Sequence, residues 1–191
     1  MVATITAAVG GGRRAAKPLR LVLWHWAGLA GGASALATAV SAVALAVPVP
    51  RVALAALVAV PSLVWGLSAA IGRPLPVATP HRQVPRAWRY AMTPAQYSFC
   101  YGVGLGAGIF TRIMSFSFYA FVGSLLLVRD PLLAVAIAQL YAAARVAPVV
   151  AALLVGRPAE QLVEEALPWR AIALRFDGAV LVLAALAFAL P

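Results

Sequence analysis

The chain has 191 residues, of which 64% are hydrophobic and 10% charged, with a net charge of +10 and a mean hydropathy of +0.96. A soluble domain of this size carries roughly a quarter of its residues as charged side chains, so a water-solvated globule is excluded. The long, nearly charge-free apolar runs point to helices that use lipid as solvent, and without ~10-residue stretches of alternating polarity a membrane barrel is a poor fit.

In a soluble protein the basic charge would point to nucleic acid. In a membrane protein, Lys and Arg gather in the cytoplasmic loops. With no nucleic-acid motif beside the charge, topology is the reading adopted and no nucleic acid is expected. The high Ala, Val and Arg content, with Lys17 as the single lysine, fits a GC-rich bacterial genome and hence an inner membrane.

Residues 1–20 form a basic leader with Arg13, Arg14, Lys17 and Arg20. The first apolar segment, 21–47, is well beyond the ~7–15 residues of a signal h-region. It is read as an uncleaved helix, although Ala44-Leu45-Ala46 resembles a cleavage site. After the turn Pro48-Val49-Pro50-Arg51 a second helix is predicted over 52–71, with Pro61 inside it; neighbouring helices make such a proline tolerable in a membrane.

Residues 72–93 make a Pro/Arg-rich loop with Arg73, His81, Arg82, Arg86 and Arg89, no acid, and Trp88 and Tyr90 among the cations. Such a loop suits the headgroup layer, aromatic rings at the interface and Arg facing anionic lipid. Thr93-Pro94-Ala95-Gln96 reads as a capping box with proline at the first helical position. The helix it opens, 94–128, would be roughly 50 Å long, too long for a ~30 Å hydrocarbon core. A break is predicted near 102–108, where Gly102, Gly104, Gly106 and Gly108 also permit close helix contact.

Arg129-Asp130-Pro131 is a tight turn, followed by a helix over 132–156 with Pro148 inside it, a polar stretch with Glu160, Glu164 and Glu165, and a last helix over 169–190. The sum is an all-α, polytopic transmembrane helix bundle of about five helices in a transmembrane domain spanning 21–191. The cations fall mainly in the leader, in the 72–93 loop and near Arg157 and Arg170, which places the N-terminus in the cytoplasm. Gly28-Leu29-Ala30-Gly31-Gly32 and Gly104-Leu105-Gly106-Ala107-Gly108 each open a hairpin, and the hairpins close with Gly72-Arg73-Pro74 and Gly156-Arg157-Pro158. This pattern suggests a parallel two-helix repeat, an organisation that transporters use.

Charges inside the spans carry the sharpest functional signal, since an ionisable group near the bilayer centre costs at least ~2.5 kcal/mol on insertion scales. Thr111 and Arg112, then Tyr141 and Arg145 on one helical face, then Asp177 fall at similar depth in the cytoplasmic half. Arg112 and Arg145 are both roughly 22–26 Å from the outer turn at 1.5 Å per residue. They are predicted to form one layer with two readings: a buried ion pair in which Asp177 neutralises Arg112 or Arg145 while the other Arg snorkels to the interface, or a pocket whose excess positive charge suits a small anionic solute or lipid headgroup, with Thr111, Tyr141 and Tyr101 as hydroxyl donors. Arg175 is expected to snorkel to the edge.

Several chemistries lack their residues. A lone Cys100 allows no internal disulfide or CxxC pair, and His25 and His81 form no HExxH. No GxSxG or P-loop motif occurs. No catalytic residue, metal ligand set or cofactor is therefore assigned, and an enzyme is the less favoured class. His25, between Trp24 and Trp26, is read as part of an interfacial aromatic belt. Two functions emerge: a transporter-like protein handling a small anionic solute or lipid headgroup, or a non-catalytic accessory or assembly subunit. Beyond the lipid bilayer, the expected partners are a second copy of the chain or another membrane protein.

Overall fold

A computed structural model describes residues 18–79, 84–85, 87–109, 113, 115–155, 164–165 and 168–189. In chain order the helices are α1 (Pro18–Ala46), α2 (Arg51–Ala70), α3 (Trp88–Ala91), α4 (Pro94–Gly106), α5 (Ser117–Leu127), α6 (Pro131–Val155) and α7 (Arg170–Ala189). No strand occurs among the described residues. The spans Leu19–Ala46, Arg51–Ala70, Pro131–Ala151 and Arg170–Ala189 are long and apolar enough to cross a membrane. Leu57, Leu140 and Leu183 on these helices are wide open, which in water would be an aggregation surface and in lipid is the solvated face. The chain is thus a multi-pass membrane protein, helical and with four such spans among the described residues.

The expected third helix is two helices. α4 and α5, at 13 and 11 residues, would reach only about 20 and 17 Å. The start of α4 follows its sequence pattern: Gln96 N–H donates to Thr93 Oγ1, and the Gln96 side chain accepts from Thr93 N–H at 3.0 Å. Its end is a glycine stop. Gly108 adopts φ +72°, which lets Ile109 N–H reach Gly104 O (2.8 Å) and Gly108 N–H reach Leu105 O (3.3 Å). This is the Schellman arrangement that satisfies the last helical carbonyls. α2 ends the same way, at Gly72 with φ +80°, through Arg73 N–H to Ser68 O and Gly72 N–H to Ala69 O. Asp130 caps α6, accepting from the N–H groups of Leu132 and Leu133, with Pro131 at the first position where no donor is needed.

The chain divides into two compact units, drawn from Met1–Leu36, Pro80–Thr111 and Val135–Leu167, and from Ala37–Thr79, Arg112–Ala134 and Pro168–Pro191. The two Gly-rich segments that suggest a repeat both lie in the first unit, where they pack on each other. A Cβ at Gly28 would run into Phe99 O, and one at Gly102 into His25 O. A Cβ at Gly32 would meet Val103 O, and one at Gly106 would meet Leu29 O. α1 and α4 therefore touch backbone to backbone, which only glycine allows. Leu29, Leu105, Ala142, Val146 and Val149 complete an apolar core with α6.

A polar clamp crosses this core. Gln139 of α6 donates through Nε2 to Ser34 Oγ at 2.6 Å and to Ala30 O at 3.4 Å on α1. Interhelical bonds of this kind in membranes contribute about 1 kcal/mol. Gln139→Leu is expected to lower the unfolding free energy by about that much in mixed micelles. A loss within error of zero would mean that the clamp is dispensable.

In the second unit α2 packs along α7. Gly66 and Gly178 face each other closely enough that a Cβ on Gly178 would lie 2.6 Å from Gly66 O. Residues 73–79, with Pro74 and Pro76, form a strap without regular secondary structure. It is held by Trp65 Nε1–H donating to Pro76 O (3.3 Å), Leu75 N–H to Ser68 Oγ (3.4 Å), Tyr119 O–H to Ala78 O (2.6 Å) and Ile113 N–H to Thr79 Oγ1 (2.8 Å).

Candidate functional site

The sequence predicts Thr111, Arg112, Tyr141, Arg145 and Asp177 in one layer. Thr111 and Arg112 lie outside the described residues. Tyr141 and Arg145 belong to the first unit and Asp177 to the second, and each has its own surroundings.

In the first unit, one turn of α6 brings Arg145 back onto Tyr141. Arg145 Nη1 donates to Tyr141 Oη at 2.5 Å, and the guanidinium carbon lies 5.5 Å from the ring centroid, within cation–π range. Tyr141 occupies one of five guanidinium donors. Among the described residues no carboxylate forms an ion pair with Arg145. Its positive charge is held by an aromatic ring and a hydroxyl.

The neighbouring aromatic column comes from α1 and α4. His25 stacks on Tyr101 (5.5 Å, 26°), and Tyr101 on Tyr97 (6.2 Å, 8°). Counted along the helices, His25 is about 10 Å inside the start of α1 and Arg145 about 21 Å past the start of α6.

His25 corrects the sequence reading. It is 0% exposed, not an interfacial residue, whereas Trp24 and Trp26 are 42% and 41% exposed. Successive helical residues point about 100° apart, so flanking tryptophans say little about the residue between them. The signal that marks its burial is helical spacing: His25, Gly28 and Gly32 fall at i, i+3 and i+7, one face, and that face packs on α4. The imidazole Nδ1 lies 3.4 Å from Ser98 O, while Nε2 is buried without a hydrogen-bond partner among the described residues.

In the second unit, Asp177 accepts from the Ser115 hydroxyl through Oδ2. Ser115 Oγ also accepts from Ser117 N–H (3.1 Å) and lies 2.8 Å from Ser117 Oγ. Asp177 thus ties α7 to the start of α5. A small, shallow cleft lies beside it, lined chiefly by Trp65, Leu75, Phe116, Leu174 and Leu181, with Trp65 stacked on Phe116 at 4.8 Å. Ser115 is not among the sequence-predicted residues; it sits outside any helix, where no periodicity marks a residue. Arg175 lies beside Gly72, its Nη2 3.5 Å from where a Cβ there would stand. No group of three metal-ligating side chains occurs among the described residues.

No family model matches the chain, and no curated protein and no solved structure matches it either.

Proposed function

We propose that the chain is a bacterial inner-membrane protein, N-terminus in the cytoplasm, that binds and moves a small anionic solute or a lipid headgroup at Arg145. The observation that carries this reading is the guanidinium on a membrane-length helix, fixed by Tyr141 and without a described carboxylate to neutralise it. A charge at that depth is costly and persists where it faces protein, water or a counter-charge. A guanidinium with donors left over is suited to carboxylate or phosphate oxygens.

Arg145→Gln removes the charge but keeps a long polar side chain. The expected result is unchanged membrane abundance with loss of stabilisation by added anions, read as the unfolding midpoint of the solubilised protein titrated with inorganic phosphate, sulfate and anionic lipid. Arg145→Lys should retain part of the response. If instead Arg145→Gln vanishes from the membrane while wild type shows no anion response, Arg145 is structural and the proposal is wrong.

A further inference from the structure

Around Asp177 the second unit gathers acceptors and spends its donors. Asp177 Oδ2 accepts the Ser115 hydroxyl. Ser115 has one hydrogen to give, so the 2.8 Å contact between the two serine oxygens is donated by Ser117, whose N–H also reaches Ser115 Oγ at 3.1 Å. Ser115 is thereby saturated and its orientation fixed. A carboxylate has about four lone-pair sites, and Ser115 fills one of them. The shallow cleft beside the carboxylate is lined by Asp177 and Ser115 together, and no other side chain in its wall carries an oxygen. The Trp65 indole N–H, also in that wall, is committed to Pro76 O at 3.3 Å. The lining side chains therefore hold no free donor for an anion, while the carboxylate keeps acceptor capacity for a cation that brings its own N–H hydrogens. Asp177 also lies on a membrane-length helix, where a carboxylate is costly unless it faces protein, water or a counter-charge.

We propose that this cleft binds a primary ammonium group, its N–H hydrogens on the Asp177 carboxylate and its alkyl stem along Trp65, Phe116 and Leu174. The walls narrow the class to this. A hard metal ion gives up its hydration water only to a shell of oxygens, and here there are one carboxylate and one spent hydroxyl. A quaternary ammonium has no N–H to donate, and its methyl groups hold the charge away from the carboxylate. A primary ammonium is compact, donates up to three hydrogen bonds and has an apolar stem suited to apolar walls. The source is either a free alkylamine or the headgroup of an aminophospholipid. The site lies in a different unit from Arg145 and does not depend on it.

The test uses the full-length protein in mixed micelles at pH 7, with n-butylammonium, tetramethylammonium and sodium as chlorides at equal ionic strength. Binding is read from the shift in unfolding midpoint followed by tryptophan fluorescence. Wild type is expected to bind butylammonium on the order of tenfold tighter than the other two, the difference that a charge-assisted hydrogen bond makes. Asp177→Asn keeps an oxygen for the Ser115 hydroxyl and removes the charge, and it should lose the preference. Leu75→Trp, at a strap position that is 40% exposed, fills the cleft without touching the carboxylate and should weaken butylammonium binding. A second arm in nanodiscs compares phosphatidylethanolamine with phosphatidylcholine. A preference there but not among the free cations assigns the lipid source; the converse assigns the free amine. If wild type shows no preference for the primary ammonium in either arm, or if both variants keep the preference, the inference is overturned and the ion-pair reading of Asp177 is left standing. Because wild-type selectivity is decisive by itself, the result holds even where a variant fails to fold, and the Arg145 reading is untouched by either outcome.

Discussion

Gly102→Ala is expected to lower the stability of the purified protein by about 3 kcal/mol, the upper part of the range for overpacking. The added methyl would point at His25 O, with Leu29 N 2.8 Å away and Gly28 C 3.2 Å away. All of these are backbone atoms, which cannot rotate aside like the end of a side chain, so α1 and α4 would have to separate. Gly31→Ala is the matched control. It lies on α1, the helix that Gly102 packs against, with nothing within 4 Å of where its Cβ would stand, and replacing glycine by alanine in a helix gains about 0.5–1 kcal/mol. The two variants should therefore shift in opposite directions in a denaturant titration in mixed micelles. Equal shifts would mean that α1 and α4 do not cross through their glycines.

The second large effect is at Asp177. Its bond from Ser115 joins α7 to the start of α5, and a hydrogen bond to a charged acceptor contributes roughly 1.5–3 kcal/mol. Asp177 is half-buried, so Asp177→Ala is expected to cost about 2 kcal/mol, within that range. Asp177→Asn keeps one oxygen to accept the hydroxyl hydrogen and should recover part of the loss. Ser115→Ala should cost less alone, and the double variant little more than Asp177→Ala. Strict additivity of the two single changes would show that the groups do not interact.

Much of the helical layout is readable in the sequence because lipid imposes it. Long apolar runs have no soluble solution, and Thr93, Asp130 and Gly108 act through local backbone chemistry that short sequence patterns carry. The site is less readable. Depth along a helix can be counted for Arg145 and Asp177, but depth does not say which element a side chain meets. Arg145 turns back onto Tyr141 of its own helix, which the spacing of four residues anticipates, while Asp177 meets Ser115, a residue in a connection where no periodicity applies. His25 is misread when its sequence neighbours are weighed instead of its helical neighbours; the glycines three and seven positions on are the better guide to its burial. The suggested repeat has a physical alternative in the packing itself: two Gly-rich segments resemble each other because each must let the other's backbone approach.

The strap at 73–79 also says something about the order in which the protein can be made. Its hydrogen bonds to Ile113 and Tyr119 bridge 34 and 41 residues of sequence, and the glycine face of α2 at Gly66 waits for Gly178 on α7. The second unit is assembled from three stretches separated by pieces of the first. During synthesis, α2 and the strap are made before these partners, Ile113 and Tyr119 following within 41 residues and α7 last of all. The bonds from Trp65 to Pro76 O and from Leu75 N–H to Ser68 join the strap to a helix made before it, so it is held at one end while its later partners are still being made. The second unit is thus completed late in translation, when α7 closes on the glycine face of α2.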